Sequence, residues 1–197
     1  MKIIVISGTP GTGKTTVSNI LSNMINGKVI SLNQLAISEN YIVKYDKKRN
    51  TKVINTEKLL QYVISLIKNF KQSNEQIILI EGHFADIIPN EFIDVAIVLR
   101  CDPYELMKRL DQRNYSKEKV IENVQSEILG NCANFLFQKS LDIPIYEIDT
   151  SKTSPTEISE KILKIINKTE IDEDLSLGKI DWLEELFKKD KIGDFFN

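Results

Sequence analysis

The segment Gly8-Thr9-Pro10-Gly11-Thr12-Gly13-Lys14-Thr15 matches the pattern G-x-x-x-x-G-K-[ST]. Four fixed positions at ordinary residue frequencies arise by chance in a chain this long on the order of one time in a hundred. The flanking residues narrow it further. Ile3-Ile4-Val5-Ile6 is a continuous apolar run, the mark of a strand buried on both faces, and the residues from about Lys14 to Ile25 read as a helix. A glycine-rich turn between such a strand and a helix is a phosphate cradle. Its backbone N–H groups and the positive helix end face an anion, and glycine lets the backbone come close. The pattern predicts that Gly8, Pro10, Gly11, Thr12, Gly13, Lys14, Thr15 and Thr16 bind the phosphates of a nucleoside triphosphate. Lys14 would reach the outer phosphates and the Thr15 hydroxyl would ligate Mg²⁺.

The rest of the chain alternates strand and helix. Short strands are predicted at Lys28–Ser31, Gln76–Ile80, Val95–Leu99 and Ile143–Ile148. Thr56 is expected to cap a helix carrying Leu59, Leu60, Val63, Ile64, Leu66 and Ile67 at helical spacing. Asp102-Pro103 is a cap with proline at the first helical position, opening a helix to about Arg109. Ser116 caps one to about Lys139, and Ser154-Pro155 opens the last, through about Ile166. Residues 33–55 read as polar and irregular, with a helical turn at Leu35–Ser38. Repeated βαβ units imply an α/β fold, a five-stranded parallel sheet with helices on both faces. The main domain is expected over residues 1–168. Residues 169–197 form an acidic linker, Glu170–Asp174, and an amphipathic helix bearing Trp182, Leu183, Leu186 and Phe187, with Phe195 and Phe196 at the end. That tail docks on the domain or meets a partner.

Composition removes several classes. With 26 basic and 28 acidic residues the net charge is −2, which argues against strong direct binding of nucleic acid through bulk charge. Cys101 and Cys132 are too few for a disulfide framework and, with one histidine, do not build a zinc site; they fit a reducing, cytoplasmic compartment. No apolar run is long enough for a membrane span, and the N-terminus is no signal peptide.

Three features sit where chemistry is expected. Glu81 and His83 lie just past the predicted third strand, at the sheet edge where open α/β sheets bind ligands. Glu81 could hold Mg²⁺ or orient a nucleophile, and His83 is the chain's single histidine. Only four basic residues are arginine, and Arg100, Arg109 and Arg113 fall within one short window. The arginine fork grips phosphate at two points, as lysine cannot. Arg109 and Arg113 share a helix face, and the broken segment at 109–116 reads as a short lid that closes over phosphates. Arg100, at the end of the fourth strand, could instead pair with a sheet-edge carboxylate.

The loop at Gly8–Thr15, Glu81-x-His83, Val98-Leu99-Arg100, Arg109-Leu110-x-x-Arg113-x-Tyr115 and Asn123–Ile128 together resemble the adenylate kinase isoenzyme 6 family, of archaeal type. These are short-lidded adenylate kinase-like ATPases of small ribosomal subunit assembly, and the resemblance covers about residues 1–168. It implies a nucleoside-monophosphate-kinase fold with residues 33–55 on the monophosphate side. It implies ATP and Mg²⁺, and both adenylate kinase and ATPase activity. It implies catalytic roles for Lys14, Glu81, His83 and Arg113, ATP contact by Arg109, and a small-subunit ribosomal protein as partner. Two positions depart from the family pattern. Asn33-Gln34-Leu35-Ala36-Ile37-Ser38 carries Ile37 where an arginine clamp on AMP is usual, and Glu81 stands where aspartate is more common. A metabolic nucleoside monophosphate kinase and a nucleotide-switched binding module with slow turnover are the alternatives.

Overall fold

The computed structural model describes residues 1–46, 51–73, 75–169 and 173–196. Five strands, β1 (Lys2–Ser7), β2 (Lys28–Ser31), β5 (Ile77–Glu81), β6 (Val95–Arg100) and β7 (Ile145–Asp149), form one sheet in the order β2-β5-β1-β6-β7. Every pairing in it is parallel. The α/β fold with a five-stranded parallel sheet is the one the sequence predicts.

Alternate residues of each strand point to opposite faces, so an unbroken apolar run serves two cores. Ile4 and Ile6 of β1, with Leu79, Ile97, Leu99 and Ile148, pack on α1 (Lys14–Ile25) and α7 (Pro155–Asn167). Ile3 and Val5, with Ile78, Ile80, Ala96 and Val98, pack on α2 (Leu32–Ser38), α3 (Thr56–Gln72) and α6 (Asn131–Gln138). A third cluster lies off the sheet. Leu106 and Leu110 of α4 (Pro103–Asp111) and Val120, Val124 and Ile128 of α5 (Lys117–Ile128) enclose Trp182 and Leu186 of α8 (Trp182–Lys188), with Phe195.

Several local expectations are corrected. The irregular stretch expected over 33–55 contains an antiparallel hairpin, β3 (Ile42–Asp46) and β4 (Thr51–Ile54). Its tip, residues 47–50, and with it Arg49, lies outside the described residues. The cap of α3 is Asn55, whose side chain accepts from the Lys58 N–H at 3.0 Å, not Thr56. The single helix expected over 116–139 is two, because Gly130 adopts φ 63° between α5 and α6. Of the acidic run, residues 170–172 lie outside the described residues. The apolar face expected on the tail helix is divided: Trp182 and Leu186 are buried against the domain, whereas Leu183 and Phe187 are exposed.

Candidate active site

The loop between β1 and α1 has the backbone its glycines predict. Gly8 has φ 143°, and a side chain there would meet the Leu99 carbonyl oxygen at 2.4 Å. Gly13 caps α1 at φ 97°, where space is open but only glycine takes the conformation readily. Lys14 folds back along the loop and its Nζ donates to Gly8 O at 2.6 Å and Thr9 O at 3.0 Å. Burial draws the Lys14 pKa below its ordinary value; the Glu81 and Glu127 carboxylates oppose this, and Arg113 adds to it. Arg113 itself is exposed in the turn after α4, close enough for its charge to bear on Lys14.

Glu81 is the buried last residue of β5, one place inside the strand rather than past it. The Thr15 hydroxyl donates to Glu81 Oε1 at 3.1 Å. A hydroxyl and a carboxylate side by side at a helix N-terminus are oxygen donors suited to a hard divalent cation. Mg²⁺ typically takes one or two protein oxygens and fills its shell with phosphate and water. Among the described residues no cluster of three or more acidic, histidine or cysteine side chains could hold a metal by itself. Thr15 and Glu81 therefore fit Mg²⁺.

His83 stands two residues beyond Glu81, its ring edge-to-face with Phe84 at 4.6 Å. Asn33 Nδ2 lies 3.5 Å from its Nδ1, the outer limit of a hydrogen bond. Burial first, then the charges of Lys14 and Lys119, push the His83 pKa down to about 4. The ring is thus neutral at physiological pH and can accept a proton.

His83 also borders a cavity of about 810 Å³ between α2, the β3–β4 hairpin and α5. Asn33, Ile37, Tyr45, Lys52, Tyr115 and Lys119 line it with Pro10 of the glycine loop. The floor of the cavity therefore adjoins the phosphate cradle. Ile37, at the position of the expected arginine, is half exposed and faces this space. Lys52, Lys119 and Glu122 are the charged residues that line it.

The two other arginines separate. Arg109 is held on the loop after β7: Nη2 donates to Thr150 O at 2.7 Å, Nη1 to Thr150 Oγ1 at 3.2 Å and Nε to Glu105 at 3.1 Å. Arg100 is buried and does not face the cavity. Its Nε pairs with Glu127 at 2.8 Å and its Nη1 pairs with Glu147. Burial works against its charge, and Glu127 and Glu147 more than restore it, so its pKa stands above the ordinary value. Arg100 thus pairs with buried carboxylates, the alternative that its place at the strand end offered.

Sequence reasoning missed Thr9, Lys119 and Glu127. Glu127 did leave a signal: it interrupts the apolar stripe Val120, Val124, Ile128 of α5, and a charge there needs partners inside the protein. One of them is the Thr9 hydroxyl.

Comparison with known proteins gives the family and the fold. A family model described as an AAA domain matches residues 4–130. A Methanocaldococcus jannaschii protein named "Putative adenylate kinase" is 33% identical over 185 residues, covering 93% of this chain and 94% of the relative. A protein of the same name from Archaeoglobus fulgidus is 34% identical, covering 98% and 97%. Among solved structures, deoxyadenosine kinase from M. mycoides shares the fold with a TM-score of 0.54 at 20% identity, covering 84% of this chain and 99% of that one. Shikimate kinase from Acinetobacter baumannii does so with a TM-score of 0.56 at 17% identity, covering 87% and 96%.

Proposed function

The chain belongs to the AAA-domain family of P-loop proteins, alongside these archaeal relatives, and we propose that it is an adenylate kinase, transferring the γ-phosphoryl group of ATP to AMP. The observation that carries this reading is the cavity of about 810 Å³ that opens next to the glycine loop, with His83 at the boundary. A phosphoryl transferase needs two adjoining sites, a donor cradle and an acceptor cavity, so that the reacting atoms are held in line. The relatives' printed name supports the same reaction.

In this reading the loop N–H groups and Lys14 bind the donor phosphates. Thr15 and Glu81 would hold Mg²⁺, which would supply neutralisation of charge on the transferring phosphates. Neutral His83 accepts a hydrogen bond or a proton at the boundary between the sites. Arg113 moves over the phosphates from its exposed turn, and Arg109 steadies the loop after β7 on the nucleotide side. Hydrolysis of ATP is the same transfer with water in the acceptor's place. Loss of the arginine clamp at Ile37 favours hydrolysis more here than a full AMP clamp would.

The biological setting we propose is small ribosomal subunit assembly, with a small-subunit ribosomal protein as partner. It rests on the family resemblance of Arg109–Tyr115 and Asn123–Ile128. The experiment measures ADP formation from ATP with AMP, and phosphate release from ATP alone, each with and without purified small-subunit ribosomal proteins. Rapid, AMP-dependent ADP formation in which no ribosomal protein alters either rate would favour a metabolic kinase. Lys14→Ala should abolish both activities in a folded protein, because its ammonium serves phosphate charge. Near-normal turnover in that variant would overturn the donor site.

A further inference from the structure

We infer that Glu127 is a positioning residue for the phosphate loop, and that the C-terminal segment belongs to the same machinery through Trp182. The inference rests on the nucleotide reading of the loop and adds a part of the chain far from it in sequence.

Thr9 is the second residue of the loop, and its hydroxyl donates to Glu127 Oε2 at 2.5 Å. Both side chains are 1% exposed. The Thr9 carbonyl in turn accepts from the Thr12 N–H at 3.2 Å, the Thr12 hydroxyl at 2.9 Å and Lys14 Nζ at 3.0 Å. Whatever orients Thr9 therefore orients both the crossing of the loop and the lysine that meets phosphate. A hydrogen bond to an ionised carboxylate away from water is strong and directional, so Glu127 fixes the Thr9 rotamer and the peptide that follows.

The other oxygen, Oε1, accepts from Arg100 Nε at 2.8 Å, the Cys101 N–H at 3.1 Å and the Trp182 indole Nε1 at 3.3 Å. The C-terminal segment grips the same ionic cluster twice more. Arg100 Nη1 donates to Ile180 O at 3.2 Å, and the Gly178 N–H donates to Glu147 Oε2 at 2.6 Å. A tail that served only to cover apolar surface would need none of these polar contacts. This one supplies an N–H to the carboxylate that holds the loop, so a shift of Thr9 on phosphate binding is felt at the indole. Trp182 is the only tryptophan in the chain, so tryptophan emission reports the surroundings of this one indole, the contact with Glu127 among them.

The test uses the full chain. Equilibrium dialysis with ATP comes first, and a wild-type protein that does not bind ATP removes the nucleotide reading and this inference together. Glu127→Gln would strip the charge that pairs with buried Arg100 and threaten the fold itself. The kinetic test therefore uses Thr9→Val, which keeps the shape and removes only the hydroxyl. With ATP binding established, the emission of Trp182 should change along the same saturation curve. Thr9→Val should raise KM for ATP about tenfold to a hundredfold and leave KM for AMP within about twofold, the effect of one lost charge-assisted hydrogen bond. The emission change at saturating ATP should shrink in that variant, and Thr9→Ser should restore both signals. A wild type that binds ATP with silent Trp182 emission, together with a Thr9→Val variant whose KM for ATP is unchanged, would overturn the inference and leave the tail a purely structural cover.

Discussion

At the scale of single residues, the group with the most to reveal is His83. Burial and the charges of Lys14 and Lys119 take its pKa from 6.5 down to about 4. Between those values the unfolded chain binds a proton that the native state refuses, so stability is full above about pH 6.5 and declines as pH falls toward 4. Activity should hold down to the same low range, because the neutral ring is the form that accepts a proton. His83→Ala should lower kcat about a hundredfold, the usual scale for a lost proton acceptor, while KM for ATP stays near wild type. It should also flatten the loss of thermal stability between pH 6.5 and 4. Steady-state kinetics and melting curves across that range check both parts, and equal losses in kcat and affinity would make His83 a structural residue. Glu81 was legible at this scale from its place two residues before a lone histidine at a strand end. Thr9 was not, because a threonine inside a glycine loop looks like any other loop filler until its buried partner is seen.

At the scale of elements, what could be read in advance divides along burial. The three central strands β1, β5 and β6 are legible as apolar runs, as strands covered on both faces must be, whereas the edge strands β2 and β7 mix apolar and polar residues and follow from the βαβ alternation. The β3–β4 hairpin is not, because it stands off the core: Val43, Lys44 and Tyr45 are all exposed, and its residues carry no buried alternation. It nevertheless forms a wall of the cavity beside the glycine loop through Tyr45 and Lys52. The break between α5 and α6 is hidden for a different reason. Apolar spacing continues through Ile128 and Cys132, and one glycine at φ 63° redirects the chain. The short segment between α4 and α5 is the element whose function is most exposed to test. Arg113 sits there in solvent, with Asn114 beside it at φ 57°. Arg113→Ala should lower kcat by about tenfold or more, the scale of a lost phosphate-facing donor. Arg113→Lys should recover little of it, because the fork that grips two oxygens is gone. Full recovery by lysine in the same kinetic assay would show that charge alone suffices and that no lid geometry is involved.

At the scale of the whole molecule, the chain is closed by its own C-terminus. The segment after α7 crosses back so that Trp182, Leu186 and Phe195 fill the cluster made by α4 and α5, the helices flanking the turn that carries Arg113. Gln125 Nε2 ties the far end by donating to Phe195 O at 2.7 Å. No helix among the described residues is long and apolar enough to cross a membrane. Buried and exposed apolar side chains are separable on one short helix, α8. Leu186 is 4% exposed and Phe187 is 74% exposed. Leu186→Ala removes a core side chain at a cost of about 2–5 kcal/mol. At about 2–4 °C per kcal/mol for a chain of this size, that lowers the melting temperature by about 4–20 °C. Phe187→Ala removes a larger side chain from solvent and should change stability by no more than about 0.5 kcal/mol. Thermal denaturation of the two variants beside wild type decides the matter. Equal, small shifts would mean that the tail does not close the domain in solution, whereas the expected asymmetry would leave Phe187 and Leu183 as the apolar residues of α8 still free to meet something outside the chain.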